Sequence, residues 1–217
     1  MSLLKVFGPP ALLLLVLSQV SFAVSAEPLQ TPKEFYFDED TDTARPVVVV
    51  ADLQGEALAQ ALVRERERGR GRKAVEASGQ LAHLAMQEGR NELGQQLYEQ
   101  AIASTEDSGP LARSLRWNYG WDLYRSGQLE PALAQWSNLT NRFGDPAWAP
   151  PTLALVLWQL DRKPEALQWY AAAVRTEPLK WNSAANYPAL LPGWSEKDRD
   201  VLAQVLAAWQ ADPPAWP

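Results

Sequence analysis

The chain contains no cysteine, which excludes a disulfide framework, a thiolate metal site, a cysteine nucleophile and a lipidated bacterial N-terminus. Its one histidine, His83, excludes a multi-histidine metal centre. An excess of basic charge is missing too. The 217 residues carry 20 Lys and Arg against 26 Asp and Glu, a net charge of −6, so there is no footprint for nucleic acid, where clustered cations must neutralise phosphates. Neither the phosphate-loop frame ending in Gly-Lys-Ser/Thr nor a Gly-x-Ser-x-Gly elbow occurs. No catalytic residue, metal or cofactor is expected. Tryptophan, by contrast, is abundant: 10 residues, every one at or after Trp117.

Long hydrophobic runs are also scarce. Residues 1–26 place Lys5 before an apolar run from Ala11 to Val16 and end on the small residues Val24-Ser25-Ala26, the three-part pattern of a signal peptide. The run is too short and too interrupted for a comfortable membrane span. Cleavage near Ala26 is expected, leaving a periplasmic or secreted protein with no membrane span; an uncleaved anchor is the alternative.

Residues 27–54 read as an acidic extended arm outside the core. Pro28, Pro32 and Pro46 and the cluster DEDTDTA oppose a helix. Within the arm, Val47–Val50 either packs on the domain or adds to a sheet edge. Asp38, Asp40 and Asp42 alternate as in the first half of a calcium loop, but Thr43 stands where the sharp turn needs Gly and Val49 where the closing carboxylate belongs. A solvated acidic linker fits better. Residues 55–74 follow as a leading helix and a basic hinge, in which Gly69 and Gly71 interrupt the block from Arg64 to Lys73.

A repeat begins at Val75. Tyr119-Gly120 is followed by Leu123, Gly127, Ala132, Trp136 and Leu139; a shift of 34 gives Leu153-Ala154, Leu157, Asp161, Ala166, Tyr170 and Ala173, closing on Pro178. A third copy upstream reads Leu81-Ala82, Ala85, Gly89, Gly94, Tyr98 and Ala101. Small residues let paired helices approach, Gly or Asp supports the turn, and the second small residue makes room for an aromatic one turn later.

That order and period resemble the tetratricopeptide repeat. The resemblance implies an all-α chain, a right-handed α-α superhelix of about three repeats (75–107, 113–144 and 147–178), with an atypical terminal unit and capping helix over 179–217. Ser195-Glu196-Lys197-Asp198 reads as the start of that helix, and Val201, Leu202, Val205, Leu206 and Trp209 as its apolar face.

In this family the first helices of successive repeats line a ligand groove. Carried onto this sequence, the groove face is Glu76, Gly79, His83, Met86 and Gln87, then Ser114, Trp117, Trp121, Tyr124 and Arg125, then Trp148, Pro151, Leu155, Trp158 and Gln159. Trp117, Trp121 and Tyr124 are spaced four and three apart and form one stripe. Such a stripe is either an open groove or a core surface that the arm, residues 179–194 or the capping helix covers. With Arg125 as the one cation on this face, a clamp for a C-terminal carboxylate is disfavoured. The expected function is a non-enzymatic adaptor of the bacterial cell envelope that binds an apolar or Pro-rich peptide or protein segment. Polysaccharide binding through the Trp row is the alternative.

Overall fold

The computed structural model describes residues 29, 37–38, 40–106, 109–140 and 145–215; the signal-peptide reading of 1–26 lies outside them. The described chain is all-helical, with consecutive helices packed on one another. In order these are α1 (Gly55–Arg68), α2 (Arg72–Gln87), α3 (Asn91–Ala103), α4 (Pro110–Arg125), α5 (Leu129–Ser137), α6 (Ala149–Gln159) and α7 (Lys163–Thr176). Two short helices, α8 (Pro178–Trp181) and α9 (Tyr187–Leu190), lead to α10 (Glu196–Ala211). Outside the helices, Phe37–Asp38 pairs in parallel with Asp145–Pro146. Among the described residues no helix is long and apolar enough to cross a membrane.

The pairs α2–α3, α4–α5 and α6–α7 are closed by one turn design, giving a repeat-like fold. Gly89, Gly127 and Asp161 each take a left-handed conformation, with φ of 75°, 80° and 58°. In each turn the next amide donates to a carbonyl five residues back: Arg90 to Ala85, Gln128 to Leu123 and Arg162 to Leu157, all at 2.9 Å. This caps the otherwise orphaned carbonyls of the first helix. Glycine adopts that backbone without strain, and Asp tolerates it better than most side chains.

The small and aromatic residues of the repeat pack together inside each pair. Ala82, Ala132, Ala154 and Ala166 are fully buried, as are Trp136 and Tyr170. At Gly120 the indole of Trp136 lies where a Cβ would stand, with Cε2 at 2.6 Å and Cδ1 at 2.7 Å from that position. The indole N–H of Trp136 donates to the Trp117 carbonyl at 3.3 Å. Gly94 likewise yields its space to Met86.

At the far end, α10 packs on α6 and α7. Its first turn carries a reciprocal capping box between Ser195 and Asp198, which satisfies two amides that would otherwise lack partners. Between α7 and α10, Tyr170 donates to the Trp181 carbonyl at 2.5 Å and is hydrogen-bonded to Tyr187. At the near end, α1 covers α2.

Two expectations about the leading segments change. The basic block is divided between two helices, with Arg64, Arg66 and Arg68 in α1, Arg70 in the Gly69–Gly71 turn and Arg72 and Lys73 opening α2; Lys73 pairs with Glu65 across that turn at 2.8 Å. Residues 40–50 of the acidic arm turn over 41–44, continue without regular secondary structure, and lie on the helices rather than apart from them, while 51–54 are exposed.

Candidate functional site

The repeat turns aim one face of α2, α4 and α6 at a common cleft of about 590 Å³. Trp117 and Trp121 of α4 form its floor, His83 and Gln87 of α2 one side, and Trp148, Pro151 and Thr152 at the start of α6 the other. The sequence reading therefore brings together His83, Gln87, Trp117, Trp121, Arg125, Trp148 and Pro151. Two further strips of chain close the cleft: Ala44 and Pro46 of the arm, and Leu190–Trp194 ahead of α10.

The tryptophans form a continuous aromatic cluster. Trp117 lies 4.5 Å from Trp148 and 5.8 Å from Trp121 between ring centroids; Trp194 meets Trp121 edge-on at 5.2 Å and 70°. Trp136 lies behind both floor rings, 6.1 Å from Trp117 and 5.1 Å from Trp121. Edge-to-face contacts of this kind are favourable beyond the area they bury. The guanidinium of Arg125 stands 5.4 Å from the Trp121 ring, a cation–π distance. Trp117 and Trp121 each keep only 7% of their surface exposed. The stripe is therefore largely covered by the protein itself, by the arm on one side and residues 190–194 on the other.

Other expected groove residues lie elsewhere. Leu155 is fully buried, because α6 is apolar on every side and is enclosed by α5, α7 and α10. Met86 is also buried and fills the space over Gly94, which places it in the α2–α3 interface. Tyr124 donates to Asp198 at 3.2 Å and receives a hydrogen bond from Gln159, so it ties α4 and α6 to the capping helix. Trp158 is half-buried under the ammonium of Lys163, 5.3 Å from the ring centroid, and does not line the cleft.

One element at the cleft was not legible in advance. Asp122, 3% exposed, accepts from Nδ1 of His83 at 2.8 Å and from the Tyr98 hydroxyl at 2.7 Å. This links α2, α3 and α4 under the cleft wall. Burial, and then the charge of Asp122, push the Tyr98 phenol well above its usual range, so it stays a donor. The available signal was a lone carboxylate in the otherwise apolar run Tyr119–Tyr124. Beside this satisfied network, the indole N–H of Trp148 and the hydroxyl of Thr152 are buried without a hydrogen-bond partner, and both residues line the cleft.

The arm supplies the most informative contacts. The side-chain oxygen of Gln80 accepts from the amides of Val49 and Val50 at 2.7 and 3.0 Å, and its NH₂ donates to the Val50 carbonyl at 2.6 Å. Asn118 donates to the Arg45 carbonyl at 2.8 Å, and Ser114 to the Asp42 carbonyl at 3.1 Å. Arg113 pairs with Asp40 at 2.5 Å. Asp40 thus faces an arginine rather than its neighbouring aspartates, and with its side chain 19% exposed it does not sit in a solvated linker.

These features define an all-helical, repeat-like protein with an aromatic cleft bordered by a non-helical segment of its own chain. Comparison with protein-family models, with curated proteins and with solved structures finds no match.

Proposed function

We propose that this chain is a tetratricopeptide-type adaptor, a right-handed α-α solenoid of about three repeats that binds a peptide segment along α2, α4 and the start of α6. The observation that carries the reading is main-chain recognition. Gln80, Asn118 and Ser114, on two successive first helices, hold a non-helical backbone through its amides and carbonyls, which is how a groove binds a peptide main chain irrespective of its side chains. The adjoining cleft offers apolar walls with the Arg125 guanidinium and the His83 imidazole at their edge, a combination suited to anchor side chains.

Polysaccharide binding draws on the same tryptophans and on the amides and guanidinium at the rim. Stacking on sugar rings needs open indole faces, and the floor rings Trp117 and Trp121 are 93% covered. The peptide reading is therefore preferred. The proposed envelope location follows from the sequence of residues 1–26 alone, and the partner is a protein of that compartment.

Tryptophan emission of the full chain, titrated separately with short apolar or Pro-rich peptides and with oligosaccharides, tests the reading. A shift with peptides that Trp148→Ala removes is expected. A response to oligosaccharides with none to peptides would overturn it.

A further inference from the structure

Residues 40–50 lie on α2 and α4 as a bound peptide would. Their backbone is held at three places, by Gln80, Asn118 and Ser114. Side chains are read at three more. Asp40 pairs with Arg113, both largely withdrawn from water. Thr43, 2% exposed, accepts from Nε of Arg113 at 3.3 Å and donates to Asp40 at 2.7 Å. Val47 lies over Gly79, its Cγ1 3.7 Å from where a Cβ would stand.

The hold is polar rather than apolar. Val48 is 55% exposed, Ala44, Val47, Val49 and Val50 are only partly covered, and 51–54 are exposed up to the start of α1. A segment with few buried apolar contacts opens at low free-energy cost. Opening would take the Asp40 carboxylate from Arg113, which keeps its bond to the Leu139 carbonyl, and the arm's backbone from the Gln80 amide, and would uncover both groups. The surface beneath the arm therefore calls for another occupant of the same chemistry.

Resting on the peptide-groove reading above, we infer that residues 40–50 are a tethered ligand, and that the partner is an acidic segment of another protein, turned at its carboxylate end as residues 40–44 are, that displaces them. Its pattern is a carboxylate, a hydroxyl residue three positions on and a β-branched residue seven positions on, as at Asp40, Thr43 and Val47. The spacing is fixed because Arg113 and Gly79 stand on α4 and α2, whose separation is set by helix packing. Lysine-rich segments are rejected by Arg113. A tethered ligand competes at an effective concentration in the millimolar range, so the partner must either bind tightly or present many copies.

The probe is a fluorescent peptide with the chain's own sequence from Asp38 to Ala51. Its anisotropy would be measured against the full wild-type chain and against the full chain carrying Asp40→Arg with Val47→Asp, which frees the arm and leaves the receiving residues intact. Binding at least about tenfold tighter to the double variant is expected, because the tethered competitor is weakened. Adding Gln80→Ala should remove that gain, and a peptide carrying the Asp40→Arg change should bind neither chain. Val49→Pro, which removes one of the two N–H groups that Gln80 accepts and replaces a half-buried isopropyl group, should give a smaller gain in the same direction.

Equal, measurable affinity for wild type and double variant would overturn the tethered-ligand inference and leave the groove reading standing. No binding to a double variant that keeps its helical circular dichroism and thermal transition would overturn both. Loss of that transition in the double variant, together with no gain for Val49→Pro, would make the arm a structural element and overturn the inference.

Discussion

Gly120→Ala tests the packing on which the cleft rests, because two effects of opposite sign meet at one atom. Alanine is the better helix former by about 1 kcal/mol in a helix interior, and α4 runs straight through this position. The new methyl, however, would stand 2.6 Å from Cε2 and 2.7 Å from Cδ1 of Trp136, and closer still to Nε1. That indole cannot slide away: it is fully buried, with Trp117, Trp121 and Tyr124 at 6.1, 5.1 and 6.0 Å between centroids. Forcing it aside costs about 1–3 kcal/mol in overpacking. Breaking its bond to the Trp117 carbonyl leaves a buried donor, at about 1–3 kcal/mol more. The clash wins, by about 3 kcal/mol net, which for a domain of this size lowers the Tm by about 6–12 °C. Thermal unfolding followed by circular dichroism and tryptophan emission measures it. A Tm at or above that of wild type would refute the idea that the repeat keeps a small residue here to admit the indole.

Gly79→Ala is the matched control: its methyl meets the rotatable end of Leu115 instead of a rigid ring, so it should cost less than half as much in the same melts. Asp122→Ala should destabilise by about 3 kcal/mol, since it leaves the buried Tyr98 hydroxyl and Nδ1 of His83 without their acceptor; a chemical-denaturation midpoint equal to that of wild type would contradict this. Ser195→Ala removes the cap of α10 and should cost about 1 kcal/mol, read as an earlier loss of helix on heating. Alkali gives a fourth check. Burial first, and then Glu99, push Tyr119 to about 12; burial pushes Tyr187 to about 12; and Tyr98, Tyr124 and Tyr170 are raised as well. A proton held more tightly in the folded chain stabilises it fully below the unfolded value of about 10 and progressively less as pH rises. Stability should therefore fall between about pH 10 and 12, by about 1.4 kcal/mol per unit for each such tyrosine. Tyrosinate absorbance should rise together with loss of helix; ordinary titration of these tyrosines with the helices intact would refute the burial argument.

Much of the helical framework was legible because it depends on residues close in sequence. Gly89, Gly127 and Asp161 mark the turns by their backbone preference, and each takes the left-handed conformation. Ser195 and Asp198 form the cap their spacing suggests. Small residues four before an aromatic mark the packed face of each helix pair, and Trp136 and Tyr170 are fully buried there. Trp169, which no position in the repeat explains, is also buried, at 3% exposed.

The cleft was legible only in part. Periodicity states which residues share a helix face and is silent on what covers that face. Trp117, Trp121 and Tyr124 do form one stripe, yet Tyr124 is taken by Asp198 of the capping helix and Trp121 by Trp194. Leu155 sits on the groove face by register, but α6 is enclosed all round, so register alone misplaces it. Asp122 and Tyr98 meet across helices 24 residues apart in sequence, a pairing that no local pattern encodes.

The helices, their turns and the small-to-large packing inside each pair can be read from local residue patterns, since they follow from backbone conformation and side-chain volume within one or two turns. That the acidic arm lies on the helices and that residues 190–194 close over the tryptophans emerges from long-range packing alone. A non-helical segment carries no period to announce its seat, and its place depends on hydrogen bonds to Gln80, Asn118 and Arg113, which are set in space by the packing of α2 against α4.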